Sequence, residues 1–276
     1  MTAKKELKAL IACLACLIII LSATGCSNNK NNSGVKRIQD KKVLVLGTSA
    51  DAPPFEYQIM QKGKKKIVGF DIMLGQKIAD ELGVKLKIEN IAFPALITEL
   101  KQKKADIVLA SMVKTPSRAK VVSFSKPYYK GSNYLLVRKA DANKYQKTSD
   151  LTGKSIGAQQ SSAKEQVAKT QLPKANLVTE SSLGTLTTEL KLGKVAGVIL
   201  GKEDAEVYSL KYPNTYAVSK LKLKTTSDIS AVSVATNKED KDLLKRVNKV
   251  ITHLQKNGQL DKMHEKAQKQ QLQFNK

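Results

Sequence analysis

The chain has 276 residues, with 48 lysines and arginines against 24 aspartates and glutamates, a formal charge of +24 and an aromatic share of 5%. Its 44 lysines and four arginines are scattered, with one short cluster at Lys64, Lys65 and Lys66. A nucleic-acid module would concentrate arginine and aromatic residues on one element, so that class is excluded. All three cysteines, Cys13, Cys16 and Cys26, lie near the start, which rules out an intrachain disulfide or a thiolate metal site in the rest of the chain.

The first residues are basic through Lys4, Lys5 and Lys8, and residues 9–21 form an uncharged apolar run. That is the layout of an export signal. The alternative is an uncleaved membrane anchor, for which the run is short, since a span needs about 20 apolar residues. Small residues at 22–25 then lead to Cys26. The stretch resembles a bacterial lipobox, with Ala23 where leucine is commoner. The resemblance implies a signal peptide of residues 1–25, a lipid on Cys26 and anchoring at the extracellular face of the cell membrane. Loss of the leader removes three lysines and one glutamate and lowers +24 to +22. The polar, low-complexity stretch 27–36 reads as a tether within 26–40, and the residues after it, about 235, can bury a large core.

Residues 43–46 form a continuous apolar run, as in a buried strand. In 71–82, Leu74, Ile78 and Leu82 recur one turn apart and Gly83 follows, which predicts a helix stopped by glycine. Val84, Leu86 and Ile88 then alternate with charged residues, as in a half-exposed strand. A helix over 96–104 leads into a branched strand at 106–110. After a loop, Thr115 suits an N-cap and Pro116 the first helical position, where its missing N–H costs nothing. Arg118 thus falls in a first turn, where partial positive charge and free N–H groups make a cation unfavourable unless an anion joins it. With an anion, the guanidinium and the free donors form a carboxylate receptor that lysine cannot reproduce. The competing reading is a solvated surface arginine. Strands at 155–158, 176–179 and 195–200 then alternate with helices at 162–170 and 182–192, so two α/β lobes are expected. A long helical segment over 238–266 closes the chain.

Several motifs follow in order: GTSADAPPFE at 47–56, GFD at 69–71, ADIV at 105–108, TPSR at 115–118, FSKPYY at 124–129, LTGK at 151–154 and NGQLDK at 257–262. Each is weak alone. Together, over residues 40–268, they make the chain resemble the bacterial extracellular solute-binding proteins of family 3, which feed ABC importers of polar amino acids. The resemblance implies an α/β fold, a two-lobe periplasmic-binding-protein-like clamp of type II, with the ligand in the interlobe cleft. It places two hinge crossings at 133–137 and 229–234, so that lobe 1 is 41–134 plus 229–276 and lobe 2 is 135–228. It also implies a monomer, no cofactor, and a membrane permease of an ABC transporter as partner.

By the same resemblance Arg118 grips the ligand's α-carboxylate. Val113 takes a position usually Thr or Ser, where it offers only a backbone N–H. Ser111 falls on another contact position, and Phe93 matches an aromatic that packs on the ligand. In the second lobe the loop 157–162 and the helix start at Ser162 and Ala163 complete the carboxylate site. Ser162 with Glu165 also fits a capping box, which is its alternative role.

Three departures bear on the ligand. Ala52 stands where an aromatic residue commonly stacks, so one cleft wall is missing. Gly201 stands where an acid would bind the α-ammonium, and a buried ammonium without an acid is costly. Glu203 or Asp204 would have to swing in; the alternative for both is solvent exposure on a helix. Ser49 takes a place that is acidic in relatives selecting cationic side chains, which disfavours lysine and arginine. The expected ligand is a polar or neutral amino acid, glutamine- or cystine-like compounds included.

Two other functions compete. Some dehydratases of cyclic amino-acid precursors share the fold. Here, however, His253 and His264 fall in the closing helical segment, away from the cleft loops, and no His, Cys or carboxylate cluster has nucleophile or metal spacing. Glu56, Asp71 and Asp106 read as hinge, cap and surface residues, so no enzymatic activity is expected. The second competitor is a basic cell-surface adhesin whose cleft has degenerated, as Ala52, Val113 and Gly201 together would suggest. Weak binding to anionic cell-wall or host polymers is expected as a second property of so many lysines.

Overall fold

The computed structural model describes residues 33–226 and 229–273. The leader, Cys26 and most of the expected tether lie outside the described residues. The tether ends earlier than expected, because helix α1 (Gly34–Lys41) already belongs to the fold. Ser33 caps it, accepting from the Lys36 N–H at 3.1 Å, and Ile38 is completely buried. Asp242 accepts the Gly34 and Val35 N–H groups at 3.1 and 2.9 Å. Arg37 reaches Asp240 at 2.9 Å and Asp106 at 3.1 Å. Hydrogen bonding to Asp240, and then to Asp106, raises the Arg37 pKa. Asp106 is therefore not a surface residue: it is buried and also accepts the Val45 N–H at 2.9 Å.

The chain continues through β1 (Val43–Thr48), β2 (Asp51–Ala52), β3 (Glu56–Gln61), β4 (Lys64–Val68), α2 (Phe70–Leu82), β5 (Lys85–Asn90), α3 (Leu96–Lys101), β6 (Ile107–Val108), α4 (Pro116–Ala119) and β7 (Val122–Lys130). A second run holds β8 (Asn133–Arg138), β9 (Ser155–Gln159), α5 (Ala163–Gln171), β10 (Asn176–Glu180), α6 (Leu183–Lys191), β11 (Gly197–Gly201), α7 (Lys202–Lys211) and β12 (Tyr216–Val218). Strand β13 (Ala231–Asn237) and helices α8 (Lys241–Lys256) and α9 (Gln259–Gln273) complete it.

Two five-stranded sheets result, β5-β1-β6-β13-β7 and β10-β9-β11-β8-β12, with a small sheet β2-β3-β4 beside them. In each large sheet the first three strands are parallel, and the last two join antiparallel. Each is covered on both faces, as parallel strands require. In β8, Leu135 and Val137 join one core and Leu136 the other. In the first sheet Leu44, Leu46 and Ile107 pack with Leu74 and Ile78 of α2, while Val108 and Ala235 face Leu96 and Leu100 of α3. Each such leucine, fully buried, contributes about 2 kcal/mol. Gly75 lets α2 ride directly on β1, since a Cβ there would stand 2.3 Å from a Leu46 methyl.

The chain leaves the first sheet after Lys130 and re-enters it at Ala231. Asn133 and Tyr134, expected in the first lobe, pair with Gly201 and Leu200 in the second sheet. Ile229 likewise packs on the second core. The closing segment is not one helix: it breaks between Lys256 and Gln259, where Gly258 takes φ +68, a conformation glycine adopts without a Cβ penalty.

Candidate functional site

Arg118 does not sit in solvent. Helix α4 is a single turn whose N-cap, Thr115, accepts the Arg118 N–H at 3.3 Å, and the side chain folds into a cavity between the lobes, 9% exposed. One guanidinium nitrogen donates to the Val113 carbonyl at 2.5 Å, and another to the Ser161 carbonyl of the opposite lobe at 2.8 Å. The guanidinium carbon stands 5.3 Å from the centre of the Phe93 ring, a cation over an aromatic face. The other three arginines pair with carboxylates: Arg37 with Asp106 and Asp240, Arg138 with Asp141, Arg246 with Glu81; among the described residues Arg118 forms no such pair. Burial pushes its pKa down to about 10, as befits a cation short of a counter-charge.

The facing wall of the cavity is acidic: Asp51 from β2, Glu56 from β3 and Asp204 from the first turn of α7 line it. Asp51 accepts the Leu183 N–H at 2.9 Å across the lobes, at the open start of α6, where donors are unpaired. Burial still raises its pKa. Glu56 is 1% exposed and has one carboxylate oxygen with no partner among the described residues. Burial, and then the charge of Asp71, push it well above the usual carboxylate range. Asp71 lies beneath, accepting from the Ser111 N–H at 2.7 Å and the Tyr128 hydroxyl at 2.8 Å; burial nonetheless lifts it to about 6. Asp204 rises to about 8, burial outweighing the opposing pull of Lys164. Lys164, in the first turn of α5, also lines the cavity and donates to Asn133 Oδ1 at 3.0 Å; burial lowers its pKa. An arriving cation would let these carboxylates ionise, and an arriving anion would complete Arg118.

A sequence profile for bacterial extracellular solute-binding proteins, family 3, matches residues 44–270. The chain belongs to that family. The arginine-binding extracellular protein ArtP of Bacillus subtilis is 34% identical over 265 residues, 95% of this chain and 97% of that one. Among solved structures, an amino acid ABC transporter substrate-binding protein of Streptococcus pneumoniae bound to L-arginine is 39% identical, with a TM-score of 0.83, over 86% of this chain and 98% of that one. The ancestral amino acid-binding protein AncCDT-1, a precursor of cyclohexadienyl dehydratase, is 31% identical with a TM-score of 0.76, over 85% and 99% of the two chains. The two lobes are those of a type II periplasmic-binding-protein fold.

Within this family 3 protein, Ala52, Phe93, Ser111, Val113, Arg118, Ser162, Ala163 and Gly201 all line the cavity, as the motifs suggested. The Val113 carbonyl accepts from the Arg118 guanidinium. Ser162 caps α5, accepting from the Lys164 and Glu165 N–H groups at 3.1 and 3.2 Å. Glu165 reaches back to the Ser161 N–H at 2.6 Å instead of to the cap residue, so the capping box is shifted by one residue. Two expected site residues, Ser49 and Glu203, are not in the cavity lining. Ser49 stays behind Asp51, its hydroxyl 3.4 Å from that carboxylate, and Glu203 accepts from the Tyr129 hydroxyl of the other lobe. Glu56, expected at the hinge, is a cavity residue. His264 does not line the cavity; its ring packs 4.8 Å from Tyr129 and 5.9 Å from Phe55.

Asp51, Glu56 and Lys164 are functional candidates that motif reasoning passed over, and Asp204 was weighed only beside Glu203. A signal existed for Asp204: it stands three residues after the cap residue Gly201, the spacing at which an acid folds back over the cap.

Proposed function

We propose that this solute-binding protein captures a basic α-amino acid, L-arginine first, by closing its lobes on it, and presents it to the membrane permease of an ABC importer. One observation carries the reading. One cavity buries an arginine that forms no ion pair among the described residues, opposite three carboxylates whose pKa values burial raises. A ligand with one carboxylate and two cationic groups matches that inventory, its carboxylate on Arg118 and its side chain toward Glu56 and Asp51. This replaces the neutral ligand expected from Ser49, because the acids that line the cavity come from positions 51 and 56. The arginine-binding name of the B. subtilis relative and the L-arginine in the S. pneumoniae structure support it. The reading involves capture without a chemical step, and it needs no cofactor. It is preferred to a degenerate adhesin because Ala52, Val113 and Gly201 border a lined cavity; weak attraction to anionic polymers stays a proposed second property.

Calorimetric titration with L-arginine, L-lysine, L-glutamine and L-cystine tests the reading. L-Arginine should bind most tightly, and Arg118→Ala should weaken it at least about 100-fold with little change in melting temperature. Tighter binding of glutamine than of arginine, or an Arg118→Ala protein that binds unchanged, overturns it.

A further inference from the structure

The α-ammonium of such a ligand also needs a partner. Strand β11 ends at Gly201 and α7 starts at the next residue, so the N-cap of that helix has no side chain. Asp204 folds back over it. A Cβ placed on Gly201 would stand 2.7 Å from Asp204 Oδ2, and the Gly201 N–H is bonded to that carboxylate. One oxygen is thereby engaged. The other, Oδ1, is buried and has no partner among the described residues, on a side chain that borders the cavity and is 5% exposed. An unsatisfied carboxylate oxygen in such a place is costly unless a donor arrives. No neighbouring donor reaches it: the Lys164 ammonium, whose charge acts on Asp204, donates to Asn133 and forms no ion pair with this carboxylate among the described residues.

We infer that Asp204 holds the ligand's α-ammonium through Oδ1, and that residue 201 is bare so that this carboxylate can reach the cavity. The inference rests on the amino-acid reading above. It makes positions 201 and 204 alternatives: the space admits one acid, from either the cap or the turn after it.

The test compares L-arginine with 5-guanidinopentanoic acid, the same molecule without the ammonium, by calorimetry on the protein and on Asp204→Asn. The protein should prefer L-arginine by about 100-fold. Asp204→Asn should reduce that preference to within about threefold by losing L-arginine affinity alone. The double variant Gly201→Asp, Asp204→Ala, which moves the acid back to the cap, should restore part of the preference and guards against a folding defect in the single variant. Equal loss of both ligands in Asp204→Asn would make Asp204 a counter-charge for Lys164 and overturn the inference, as would an undiminished preference. Failure of the parent reading looks different: neither ligand binds the unaltered protein, or Arg118→Ala leaves both affinities intact, and the inference falls with it.

Discussion

Asp204 and Asp71 are held at about 8 and about 6, both first by burial, and Glu56 and Asp51 are raised by the same cause. A carboxyl whose folded pKa exceeds its unfolded value near 4 binds more protons folded than unfolded, so stability falls as pH rises between the two values. His264, lowered by burial, acts in the opposite sense below about 6.5. The window from pH 7 to 8 lies above the histidine and holds Asp204, with Lys164, lowered by burial, acting against it where it titrates. Without ligand the melting temperature should fall across it, should fall less in Asp204→Asn, and should flatten under saturating L-arginine; a ligand-free profile that rises would refute the assignment. Arg118 was legible in sequence because a proline and a capping threonine place it at a helix start in an arginine-poor chain. Asp204 was not. Successive residues on a helix point about 100° apart, so which of Glu203 and Asp204 faces the cavity depends on the path of the backbone through Gly201. Asp51 was hidden for a similar reason: the tight turn at 49–52, not residue type, decides which side chain looks inward.

Helix α1 shows what an element outside the motifs contributes. Arg37 joins it to two buried carboxylates, Asp106 and Asp240, and removal of one member of such a group leaves uncompensated charge. Arg37→Met should cost about 3 kcal/mol, a loss of roughly 6–12 °C for a domain of this size, read by thermal melts, with ligand affinity unchanged. The alternation of strands and helices was legible throughout, since apolar runs such as Val43–Thr48 and the one-turn spacing of Leu74, Ile78 and Leu82 are local signals. Elements that owe their place to distant partners were not. Composition around residue 33 is that of a tether, yet Asp242, more than 200 positions away, fixes the start of α1. Strand β8 shows the same limit, since its membership in the second sheet comes from pairing with β11.

On the scale of the molecule, we propose that residues 1–25 act as an export signal and that a lipid on Cys26 tethers the protein outside the cell membrane, with the described fold starting at Ser33. Cell fractionation checks this: Cys26→Ala should move the protein from the membrane fraction to the medium while leaving purified-protein affinity unaltered, and retention in the membrane would count against a lipid anchor. Among the described residues, hydrogen bonds that join the lobes include Arg118 to the Ser161 carbonyl, the Leu183 N–H to Asp51, and Tyr129 to Glu203. Bonds made by the chain itself therefore help to hold the clamp shut. A carboxylate arriving at Arg118 competes for the guanidinium that holds Ser161, so cargo exchanges one fastening for another. Loading would then replace a bond between the lobes with bonds that run through the cargo.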